Sequence, residues 1–180
     1  ADLGMRLVTI PNESPDVAEC ERITPEILAE YLDEDVAFVC VQIVNYRSGA
    51  RQDVPALTAT ARDHGAYVLW DASHAVGSID LRFDEWGVDI AVGCTYKYCN
   101  SGPGSPAWMY VRSDLHDTLR TPIDGWFGQK NQFTMGPTFD RASGMRGFQI
   151  ASPSIVGLTA VEESMSVSYT HLRAHETRSY

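Results

Sequence analysis

Short apolar runs rich in β-branched residues alternate along this chain with stretches of helical periodicity. That alternation predicts an α/β fold with a mainly parallel sheet flanked by helices. RLVTI (6–10) reads as a strand. ITPEILAEYLD (23–33) reads as a helix, with Thr24 as N-cap, Pro25 at the first helical position, and Ile27, Leu28, Tyr31 and Leu32 on one face. VAFVCVQIV (36–44) is apolar on both faces and therefore predicts a central strand. After a polar loop, PALTATARDHG (55–65) predicts a helix ended by Gly65.

AYVLWD (66–71) predicts the next strand, with an aspartate as its last residue. VDIAVGC (88–94) follows, and CTYKYCNSGPG (94–104) places Lys97 just beyond it. AWMYVR (107–112) predicts a strand antiparallel to its predecessor, because only a short Gly/Pro turn separates the two. Past Leu119 the pattern becomes aromatic and glycine-rich (GWFGQKNQFTMGP, then GMRGFQIASPSIVGL), which predicts loops lining a site.

In 180 residues the chain has room for one substantial core. Its net charge of −10 and pI near 4.8 argue against a general nucleic-acid or anionic-membrane surface. No apolar run approaches the roughly 20 residues that span a bilayer, and a signal-peptide layout is missing, so the expected location is the cytoplasm. Cys20, Cys40, Cys94 and Cys99 form no CxxC pair or zinc-ribbon spacing. Cys40 and Cys94, inside strand-like runs, are expected to be buried free thiols.

Both ends look cut: the first residue is Ala1, and the residues from Ser166, SVSYTHLRAHETRSY, break the preceding pattern. That tail resembles the translation of a transposon-type sequencing adapter. The expected organisation is a partial domain over 1–165 and a non-native tail over 166–180. His171 and His175 have the i, i+4 spacing of a helical metal site, but they fall in this tail, and no metal is expected.

In open α/β sheets ligands bind beyond the carboxyl ends of the strands. Asp71 ends one predicted strand, His74 follows three residues later, and Lys97 follows the next strand. The 26 residues from Asp71 to Lys97 allow one crossover, so the two strand ends can be neighbours. A carboxylate, an imidazole and an amine around one pocket suit pyridoxal phosphate. The amine holds the aldehyde and ferries protons, and the carboxylate keeps the pyridine nitrogen protonated. Plainer readings compete: an aspartate at a strand end often caps a helix, and a lysine in a Gly/Pro loop is usually solvated. Spacing alone leaves both open.

WDASHAVGSIDLRFDEWGVDIAVGCTYKYCNSGPG (70–104) closely resembles the cofactor segment of the kynureninase family, fold-type I pyridoxal-phosphate hydrolases of the class V aminotransferase superfamily. The similarity includes VNYRSG (44–49), GWFGQ (125–129) and FQIASPSIVGL (148–158), and covers roughly Val36 to Leu158. The resemblance implies part of the large cofactor-binding domain of such an enzyme. It implies Lys97 as the Schiff-base lysine, Asp71 as partner of the pyridine nitrogen, His74 packed at the cofactor, and Tyr96 as a phosphate contact and proton donor. It further implies that Trp126 and Ser152 reach the cofactor phosphate of the neighbouring subunit in a homodimer. Without it, Trp126 reads as a core aromatic and Ser152 as a turn residue. Gln42 stands where the family has a small hydroxyl residue at the cofactor, and Gln129 replaces the histidine of the family's GWFGH.

No counterpart is found for the family's upstream phosphate-binding turn, its ring-stacking aromatic or its carboxylate-binding arginine. The implied reaction is hydrolysis of L-kynurenine, or its 3-hydroxy form, to an anthranilate and L-alanine, in tryptophan catabolism toward nicotinamide nucleotides. Other class V activities (aminotransferase, desulfurase, epimerase) and a catalytically inactive piece remain alternatives.

Overall fold

The computed structural model describes residues 4–11 and 22–176, with side chains described through His171. Four strands form one sheet in the order β1 (Phe38–Gln42), β2 (Tyr67–Asp71), β3 (Ile90–Cys94), β4 (Ala107–Val111). β1, β2 and β3 are parallel, and β4 returns antiparallel to β3 with Gly93 opposite Trp108. Three α-helices are described: α1 (Pro25–Ala29), α2 (Val54–Asp63) and α3 (Ile155–Glu176). The aromatic, glycine-rich region between β4 and α3 is loop with three short 3-10 turns, as its composition predicted.

Capping chemistry sets the ends of the first two helices. The Thr24 hydroxyl accepts from the Ile27 amide with Pro25 at the start of α1. Asp53 does the same for α2 through the Ala56 amide, and Gly65, at φ 82°, turns the chain out of α2 into β2. Alternation along β2 divides the core. Val68 and Trp70 join Leu28, Ile43, Val54, Leu57 and Ala61 in the main cluster beneath α1 and α2. Tyr67 and Leu69 pack instead against Ile90, Val111 and Leu115. Trp70 is fully buried, and its indole N–H donates to Thr58 Oγ1 at 3.0 Å, tying α2 to the sheet.

Several expectations are corrected. RLVTI (6–10) forms no strand: Leu7 is 91% exposed, and an isolated extended segment without a ladder partner is solvated. β1 lies at the edge of the described sheet, because β2 is its one hydrogen-bonded neighbour there. Phe38 and Cys40 project from the β1 face opposite the buried Val41 and are exposed, so Cys40 is not a buried thiol. Cys94 is half-buried, whereas Cys99 is buried. The first helix is shorter than its apolar pattern suggested, and of that face Leu28 alone is buried. Cys20 and the side chain of His175 lie outside the described residues.

Asp89, at the start of β3, is the main buried charge. Arg62 of α2 and Arg112 beyond β4 approach its Oδ1 at 3.3 and 3.1 Å, and the Val68 amide donates to Oδ2 at 3.1 Å. One carboxylate therefore locks α2, β2, β3 and β4 together, at the strand ends opposite those that carry Asp71 and Lys97. Among the described residues no helix is long and apolar enough to cross a membrane.

Candidate active site

Parallel pairing places Gln42, the last residue of β1, directly beside Asp71, the last of β2, with Val92 of β3 on the other side of Asp71. Asp71 is exposed, and its Oδ1 accepts from the Ser73 amide at 2.8 Å. The plainer reading of Asp71 therefore holds in part, since it caps the turn over 72–79. Its second oxygen has no hydrogen-bond partner among the described residues.

The turn that Asp71 starts carries His74 back toward the lysine. Gly77, at φ 82°, lies so close to the Tyr98 backbone that an added Cβ would sit 3.0 Å from its carbonyl carbon. Only a glycine at this point lets the two loops dock. The result is an approach of Lys97 Nζ to His74 Nδ1 at 3.5 Å, with both side chains half-buried. Lys97 Nζ also stands 5.5 Å from the centroid of the Tyr96 ring, which is 48% exposed.

The lysine loop is self-braced. Thr95 Oγ1 donates to Pro106 O at 2.7 Å, Ser101 Oγ donates to Thr95 O at 2.5 Å, and the Asn100 amide donates to Lys97 O at 3.0 Å. Gly102 and Gly104, at φ 78° and 88°, complete the turn into β4. These bonds hold the backbone on both sides of Lys97 while leaving its side chain to reach over the strand ends. Cys99 is buried below, where desolvation and, secondarily, the neighbouring Cys94 push its thiol pKa up.

One contributor went unnoticed in the sequence. The Tyr46 ring stacks on His74, with centroids 6.3 Å apart and planes at 30°. Its signal was an aromatic within VNYRSG, in the loop just past the end of β1.

The structure does not bring all the expected residues together. Trp126 is 41% exposed in a 3-10 turn, and its ring contacts are to Phe127 and Phe133. Ser152 is exposed just before α3. Gln129 pairs with Arg141 in an isolated bridge. Gln42 lines a cavity of ≈ 300 Å³ with Ile10, Arg22, Ile23, Asn45 and Gln52, a space whose walls include neither His74 nor Lys97. The amine of Lys97 and the imidazole of His74 meet away from that cavity, just past the strand ends that Asp71 and Cys94 close.

A mostly parallel sheet with helices against it and polar side chains at its strand ends defines an α/β protein of the open-sheet class. Within that class, the sequence profile described as "Aminotransferase class-V" matches residues 4–179, and the chain belongs to this family. Its members are pyridoxal 5′-phosphate enzymes. Kynureninase of Pseudomonas fluorescens is 38% identical over 144 residues, covering 80% of this chain and 35% of that protein. Kynureninase of Burkholderia mallei (strain SAVP1) is 35% identical over 166 residues, covering 92% and 36% respectively. The chain thus spans little more than a third of the relatives it matches.

Solved structures share the fold at lower identity. The cystine C-S lyase C-DES superposes with a TM-score of 0.70 at 19% identity, covering 81% of this chain and 39% of that one. A cysteine desulfurase from Thermococcus onnurineus NA1 gives 0.67 at 18% identity, covering 83% and 36%.

Proposed function

We propose that this chain is the lysine-bearing part of a kynureninase-type hydrolase. The parent enzyme would act in the cytoplasm as a homodimer, cleaving L-kynurenine or 3-hydroxy-L-kynurenine with water to anthranilate or 3-hydroxyanthranilate and L-alanine. The observation that carries this reading is Lys97 Nζ beside His74 Nδ1 over the strand end closed by Asp71. The donor set fits pyridoxal phosphate: an amine for its aldehyde and an open carboxylate oxygen for its ring nitrogen.

When bound, that cofactor supplies an electron sink for negative charge developed on the substrate. The Asp71 carboxylate holds the ring nitrogen in its protonated state, and Lys97 takes the α-proton from the substrate. Water adds to the substrate's γ-carbonyl, so that when the Cβ–Cγ bond breaks Cγ leaves as the carboxylic acid, and the Tyr96 hydroxyl, on the exposed side of the lysine, would return a proton to Cβ. Gln42, beside Asp71 in the sheet, takes the place of the family's small hydroxyl residue. Trp126 and Ser152 are exposed and apart from this cluster, which supports their action at a neighbouring subunit's cofactor.

The desulfurase alternative shares the lysine and aspartate but needs a mobile nucleophilic thiolate. Cys99 is buried, with its thiol pushed toward the neutral form. An aminotransferase or an epimerase makes no such demand and is separated by products.

Incubation with pyridoxal phosphate, borohydride reduction and peptide mapping is expected to label Lys97. Label confined to any other residue would overturn the cofactor assignment. Side-by-side assays of the full-length parent with kynurenine, 3-hydroxykynurenine, alanine and cysteine are expected to yield an anthranilate from the first two. Transamination alone, or sulfide release from cysteine, would replace the hydrolase reading.

A further inference from the structure

The loop that follows β1 is built to hold an aromatic ring outside the core. Asn45 is buried: its Oδ1 accepts from the Arg47 amide at 2.8 Å, its amide donates to Ala50 O at 2.9 Å, and its carbonyl accepts from the Gly49 amide at 2.9 Å. The Ser48 hydroxyl accepts from the Ala50 amide, Gly49 supplies the left-handed residue at φ 73°, and Val44 bridges to Arg51. So braced, the turn presents Tyr46, which is 71% exposed and yet stacked on His74. A tyrosine that exposed adds little to the core. Among the described residues its one ring contact is with the imidazole that meets Lys97.

Imidazole nitrogens bond in the plane of the ring, so the direction from Nδ1 to Lys97 Nζ is satisfied only when that plane is held. No hydrogen bond of the described residues engages the other ring nitrogen of His74. The face contact with Tyr46 is therefore what restrains the plane.

We propose that Tyr46 is a positioning residue of this site: stacked on His74, it holds the imidazole plane that aims Nδ1 at Lys97 and keeps the amine placed for the cofactor aldehyde. The role rests on the reading of Lys97 given above, and acts through His74 with no contact to the cofactor required. The ring face is what matters, so phenylalanine should serve and alanine should not.

Two measurements on the 180-residue chain test it. The first is the NMR spectrum of histidine side chains without cofactor, with His74 assigned by its loss in His74→Gln. Tyr46→Phe is expected to keep the ring-current-shifted His74 signals, and Tyr46→Ala to move them to solvent-exposed positions. The second is the rate at which Lys97 captures pyridoxal phosphate, followed by borohydride trapping and peptide mapping. Tyr46→Ala is expected to slow capture roughly two- to tenfold, the range of one aromatic face contact, with Tyr46→Phe close to the parent. In a His74→Gln background Tyr46→Ala should slow capture no further.

Unchanged His74 signals in Tyr46→Ala, or an undiminished effect in the His74→Gln background, would overturn the proposal. Capture at another residue would overturn the reading of Lys97 instead, and the positioning claim would then stand or fall on the His74 spectrum.

Discussion

Asp71 has a capping bond in the structure and a proposed role at the cofactor, and substitution can separate the two. One oxygen caps the turn that carries His74, through the Ser73 amide, and the other is open above the strand ends. An asparagine keeps an oxygen for that amide but cannot hold a ring nitrogen protonated. Asp71→Asn should therefore leave the circular-dichroism spectrum and urea midpoint unchanged, while turnover of the full-length parent falls on the order of 10²-fold or more. Equal loss of folding and turnover would reduce Asp71 to a capping residue. The positions of Asp71 at one strand end and Lys97 three residues past the next were legible in the chain because both are charged residues where an apolar run stops. His74 was legible by its distance from Asp71. Tyr46 was not, because its partner lies 28 positions away and an aromatic in a polar loop reads as surface. Trp126 and Ser152 came from resemblance alone, and the fold leaves them apart from the lysine.

At the scale of elements, β2, β3 and β4 follow their apolar runs to within two residues, since each pairs with a strand the chain itself provides. The failures share one cause: pairing is a property of two segments, and the pattern of one cannot report it. RLVTI has the composition of a strand and no ladder partner among the described residues, and VAFVCVQIV has the composition of a central strand at the edge of the described sheet. Nor did the pattern announce that Asp89 would clamp four elements. Asp89→Ala should remove the carboxylate that two arginines share, leaving Arg112 on Asp114 and Arg62 on the Gly87 carbonyl, and leave the Val68 amide unsatisfied, at a cost on the order of 3 kcal/mol. Arg62→Ala should cost on the order of 1 kcal/mol, because that side chain is half-exposed and Arg112 remains on the carboxylate. Urea titrations with an unchanged m-value would check both, and an equal cost for the two would disprove the shared clamp.

On the scale of the whole molecule, the site and most of the core draw on the same stretch of the chain, and α3 lies outside it. The amine, imidazole, carboxylate and their braces all come from between Gln42 and Pro106. Neither apolar cluster takes a residue beyond Phe148. α3 continues past Ser166 as helix, yet Val167 and Tyr169 are 56% and 59% exposed on it. If 166–180 is foreign to the domain, as its likeness to an adapter suggests, the helical continuation contributes nothing to folding, although the family profile extends through residue 179. A chain ending at residue 165 is then expected to differ from the 180-residue chain by less than about 0.5 kcal/mol in urea. It should also capture pyridoxal phosphate at Lys97 at the same rate. A loss above about 2 kcal/mol, the range reached when packed structure is removed, would return 166–180 to the domain and make α3 one continuous native helix.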